Sequence, residues 1–70
     1  MISSLNGKVV HKDLGYIIID VGGVGYRVAV ETGVALEAIP GEAIFLWTYL
    51  AVRENALDLY GFKEREVLEI

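Results

Sequence analysis

The chain has no cysteine, one proline, one methionine and only six basic residues. Without cysteine it forms neither a disulfide scaffold nor a cysteine zinc site. That agrees with a reducing compartment, and a cytoplasmic setting is expected. The longest apolar stretch, Ala43 to Val52, is far short of the ~18 residues that span a bilayer. The start, Met1-Ile2-Ser3-Ser4, lacks the basic head and apolar core of a signal peptide. No membrane partner is expected. Six basic residues stand against ten acidic ones, for a net charge of −4. Proteins that grip nucleic acid alone use Lys and Arg to displace counterions from phosphates. On charge, this chain binds DNA weakly or not at all, and something else must carry the main phosphate contacts.

What the chain does have is apolar bulk: 54% hydrophobic residues in a length of 70, with eight glycines. That composition excludes disorder, and the length leaves room for one domain. One core of this size supplies only about 3–5 kcal/mol of net stability. A deep, water-excluding active site is not expected, and a binding or assembly module is. The high apolar fraction predicts that some apolar surface meets a partner. The charge is uneven. Residues 1–30 carry three basic and two acidic residues, and residues 31–70 carry three basic and eight acidic ones.

The punctuation reads as β. Residues 2–12 alternate loosely, with Leu5 and Val9 on one face and Ile2 and Val10 on the other. Asp13-Leu14-Gly15 is a turn. Tyr16 to Val21 is a β-branched run, and Gly22-Gly23 joins it to Gly25–Val30 as a hairpin, with Tyr26, Val28 and Val30 on one side. Thr32 is placed to cap a short helical turn, whose apolar side holds Leu36 and Ile39 at spacing i, i+3. Pro40-Gly41 stops it. Residues 43–52 form a fourth strand, Arg53 to Ala56 a polar turn, and residues 57–62 a fifth strand. From Lys63 to Ile70 the chemistry turns helical, without a stop signal, and the natural protein is expected to continue. The fold class is therefore all-β. It is a five-stranded OB-fold barrel with a short helical turn between strands 3 and 4 and the start of a helix at the C-terminus.

Each candidate site has a plain counterpart. Val21-Gly22-Gly23-Val24-Gly25-Tyr26 lacks the third glycine and the following helix of a dinucleotide loop, so it reads as a hairpin turn. His11 is the only histidine, and the scattered carboxylates do not complete a metal or catalytic group around it. No cofactor is expected. Phe45, Trp47 and Tyr49 share one face of the fourth strand, with Ile44, Leu46, Thr48, Leu50 and Val52 on the other. The aromatic row is either a stacking platform for single-stranded bases or a packing face, and the acidic charge favours packing. Glu54 and Asn55 form the tip between strands four and five, and as residues they read as a plain turn. The alternative to a larger assembly is a stand-alone OB-type module that binds protein or a single strand through Phe45, Trp47 and Tyr49.

The sequence resembles the RuvA N-terminal domain family, from the Holliday-junction-binding subunit of the bacterial branch-migration complex. The resemblance runs through Met1-Ile2, Leu5 and Gly7, then Ile19-Asp20-Val21-Gly22-Gly23-Val24-Gly25-Tyr26-Arg27-Val28. It continues in Pro40-Gly41-Glu42 and in Val52 to Phe62, covering essentially the whole chain. It implies an OB-fold domain over residues 1–62 that assembles a homotetramer. Residues 63–70 would begin the first helix of an absent helix-hairpin-helix domain, which grips four-way junction DNA. A further absent C-terminal domain would contact a RuvB-type motor ATPase, so the chain itself is not an enzyme. The resemblance also implies that the tip between strands four and five is an acidic pin at the junction crossover. Glu54 matches the first acid of that pin, and Asn55 stands where the family usually has a second. Four such pins carry about −4 rather than about −8 if every carboxylate is ionised. Lys8, Lys12 and Arg27 are left open between DNA and a neighbouring subunit.

Overall fold

The computed structural model describes residues 3–53 and 56–64. Its elements run β1 (Ser4–Asp13), β2 (Tyr16–Val21), β3 (Val24–Ala29), α1 (Thr32–Glu37), β4 (Ala43–Arg53) and β5 (Ala56–Phe62). The strands close a barrel in the order β1-β2-β3-β5-β4. Every pairing is antiparallel except β3 with β5, which meet in parallel through the single pair Ala29↔Tyr60. This is the expected five-stranded OB-type barrel, with its one short helix between the third and fourth strands.

The β2–β3 hairpin follows from its glycines. Gly22 and Gly23 sit at φ +60° and +93°, a region that residues with a Cβ adopt at a cost. Two such residues between paired strands make a tight turn whose twist matches the strands. The Gly23 amide donates to Asp20 Oδ1 at 2.9 Å, which fixes the turn.

β1 serves two partners. Its first half pairs with β4, from Ser4↔Trp47 to Lys8↔Ala43, and its second half with β2, from Lys8↔Asp20 to Asp13↔Tyr16. The register slips between Val9 and His11, which inserts Val10 as a bulge. Val9 stays inside, its N–H donating to the Glu42 carbonyl at 3.0 Å. Val10 is thrown outward, where it is half exposed. The expected separation of Val9 from Val10 holds, and the bulge is what ends the alternation beyond them. At the crossing, Gly7 lies against Asp20 and the side chains of Ile19 and Val21, leaving no room for a Cβ.

The core is Leu5, Val9, Ile17, Ile19, Val28 and Leu46, completed by Ala35 and Ala38. Tyr26 and Val30 pack against it beside Val28, as their shared side of β3 predicts. The helical segment departs from expectation. Ala35 and Ala38 point inward, while Leu36 and Ile39 are 66% and 55% exposed. A phase error of one residue turns a helix by ~100°, and only small side chains let this short helix sit close on the barrel. Thr32 is also not the cap. Glu31 takes the N-cap position with extended backbone and no side-chain capping bond, and Thr32 is the first helical residue. The other helix end is held by Lys12, whose Nζ donates to the Leu36 carbonyl at 3.3 Å. The helical start expected over residues 63–70 lies outside the described residues from 65 onward, and Lys63 and Glu64 form a bend.

Candidate functional site

Two features of the outer surface qualify as sites, and both follow from strand alternation. On β4, Leu46 and Thr48 enter the core, so Phe45, Trp47 and Tyr49 face out. Phe45 and Tyr49 are 45% and 49% exposed, and Trp47 is half-buried. Phe45 meets Trp47 edge-on, with ring centroids 5.2 Å apart and planes at 89°. That geometry is favourable for aromatic pairs and holds both rings in fixed orientations. Across the ladder, Trp47 pairs with Phe62 and Tyr49 with Tyr60. The predicted row therefore exists and widens onto β5 into a single apolar face. Among the described residues, Phe45 and Tyr49 stay about half exposed, which leaves apolar surface on this face.

The second feature is a cleft of about 470 Å³ along the β3–β5 seam. Ala29 pairs with Tyr16 on β2 and with Tyr60 on β5, so two tyrosines stand on either side of an alanine. Leu14 and Gly15 lie at one end, and Arg27 and Asp58 line the other. The Arg27 guanidinium lies over the Tyr16 ring, 4.4 Å from its centroid, within cation–π range. His11 is tilted toward the same ring at 6.1 Å. Reading strand by strand did not single out Tyr16 and Tyr60, because their proximity arises only when the barrel closes.

The β4–β5 hairpin pairs Val52 with Leu57 and Arg53 with Ala56. The tip residues between them, Glu54 and Asn55, lie outside the described residues. Among the described residues, no three carboxylates and imidazoles come together as a metal site would need. No helix among them is long and apolar enough to cross a membrane.

With this geometry in hand, residues 1–61 match the family model described as RuvA N terminal domain. The chain belongs to the RuvA N-terminal domain family. It is 49% identical over 99% of its length to the Holliday junction branch migration complex subunit RuvA of Halothermothrix orenii, covering 37% of that protein. The same-named subunits of Corynebacterium urealyticum and Symbiobacterium thermophilum are 46% and 50% identical, over 99% and 89% of the chain and 34% and 31% of their own lengths. The chain thus spans about a third of the relatives that it matches.

Proposed function

We propose that the chain is the scaffold domain of a RuvA-type subunit, acting in recombination and DNA repair. Four copies assemble around a four-way junction and set Glu54 at the crossover, where its charge repels phosphates. Strand movement is powered by a RuvB-type ATPase, reached through parts of the subunit outside these residues, and the barrel itself does no chemistry. The observation that carries the reading is the family match across residues 1–61. The aromatic face of Phe45, Trp47 and Tyr49 supports it as a packing surface for a neighbouring subunit, being apolar and partly exposed among the described residues. The net charge of −4 supports a division of labour in which other domains hold the phosphates.

The test is titration of a four-way junction with the chain at rising salt. Weak binding is expected, with a slope corresponding to fewer than about three phosphate contacts. Tight, salt-steep binding would put the phosphate grip in the barrel and contradict the scaffold role.

A further inference from the structure

We propose that Asn6-Gly7 is a deamidation site which the folded barrel holds shut, and that reaction there, through its isoaspartyl product, bars the chain from refolding. The site goes beyond the scaffold reading, which makes no use of it.

The reactivity lies in the pair itself. The chain has two asparagines, Asn6 and Asn55, and only Asn6 is followed by glycine. In an Asn-Gly pair the glycine backbone nitrogen attacks the asparagine side-chain carbonyl carbon, unhindered by a Cβ. The new bond from that nitrogen to Cγ closes a five-membered imide, the Cγ–Nδ2 bond breaks, and ammonia leaves. Water then opens the imide at either carbonyl. One opening gives aspartate. The other, the larger share, gives isoaspartate, whose main chain runs through the former side chain and is longer by a methylene. No oxidant is involved.

The fold blocks the first step. The Thr48 N–H donates to the Ser3 carbonyl and the Val9 N–H to the Glu42 carbonyl. Backbone groups alternate between the two edges of a strand, so Leu5 and Gly7 also turn theirs toward β4. Gly7 pairs there with Ile44, whose carbonyl engages the Gly7 N–H. Asn6 is exposed within β1, but exposure is not sufficient. Closing the imide needs a free Gly7 nitrogen and an Asn6 Cα–C bond swung out of the extended range. Both require β1 to leave β4. From Lys8 onward β1 also carries β2, so the opening takes much of the barrel with it.

The fold also has no place for the isoaspartyl product. Gly7 lies against the Asp20 backbone oxygen, and a Cβ on it would stand 2.8 Å from Ile19 Cγ2 and 2.9 Å from Val21 Cγ2. A methylene added to the main chain just before Gly7 pushes it into that crossing. It also breaks the alternation that sends Leu5 and Val9 into the core together. The aspartyl product keeps the main chain and only sets a carboxylate opposite Phe45, on the rim of the aromatic face.

The experiment incubates the chain at mildly alkaline pH, folded and in guanidinium chloride, and follows conversion of Asn6 by peptide mass spectrometry. Reaction in the folded chain is expected to be at least about a hundredfold slower, as the opening of a domain this size dictates. Chain deamidated in denaturant is then diluted into buffer. The aspartyl fraction should regain the parent circular dichroism spectrum, and the isoaspartyl fraction should not. Asn6→Gln, which cyclises far more slowly, should fold as the parent does and still refold after the same treatment. Equal rates in the two states would overturn the proposal, as would an isoaspartyl chain that refolds to the parent's stability. None of these outcomes touches the family match or the scaffold reading.

Discussion

Gly7→Ala is expected to remove much of the chain's net stability. Gly7 is a strand residue with no positive φ, so its requirement is space and not backbone freedom. A Cβ there would run into the backbone oxygen of Asp20, and also into Ile19 Cγ2 at 2.8 Å and Val21 Cγ2 at 2.9 Å. A side-chain tip can turn away, but a carbonyl held in the barrel's crossing cannot move without the strand. Overpacking typically costs about 1–3 kcal/mol, occasionally more. A domain of this size has roughly 3–5 kcal/mol to lose. The sharpest control is the same substitution in α1. Gly33 has nothing within 4 Å of its would-be Cβ and no positive φ. Gly33→Ala is expected to stabilise by about 0.4–1 kcal/mol, by narrowing the unfolded ensemble and favouring helix. Urea unfolding of the two variants should therefore move in opposite directions from the parent chain.

Leu46→Ala is expected to cost about 2–5 kcal/mol, again most of the available stability. Leu46 is fully buried on the inner face of β4, and its Cδ1 fills the space against Gly61 on β5. Truncation leaves a void between two strands whose ladder is the longest in the barrel, and a closed barrel has little freedom to collapse around it. Leu36→Ala removes the same atoms from the exposed side of α1 and should change stability by less than about 0.5 kcal/mol. Thermal or urea midpoints for the pair separate an inward leucine from an outward one.

Much of the barrel was legible locally. β2 begins and ends where the β-branched run does, and the Gly22-Gly23 turn is where two glycines in succession require it. The two faces of β4 divide as alternation predicts over its middle, with Leu46 and Thr48 in and Phe45 and Tyr49 out, while Val52, toward the hairpin end, is exposed. The misreadings share a cause. The helical turn was phased by its large apolar residues, Leu36 and Ile39, whereas the close approach of helix to barrel selects Ala35 and Ala38. A tertiary distance decided that, and no local pattern carries it. Likewise, the end of the alternation beyond Val10 depends on a bulge created by pairing with β2 and by the loop at Glu42. The cleft of Tyr16, Ala29 and Tyr60 depends on a parallel pairing between strands more than 30 residues apart in sequence. Glu54 and Asn55 entered as site residues through family resemblance alone, since as residues they make an ordinary turn.

The scaffold role is tested most directly by exchange. The N-terminal third of the Halothermothrix orenii subunit, 49% identical to this chain, would be replaced by these residues. Branch migration of a synthetic four-way junction would then be followed with that organism's RuvB motor and ATP. The account predicts that the hybrid subunit moves the junction. A hybrid that folds and binds the junction, yet leaves it in place, would contradict it.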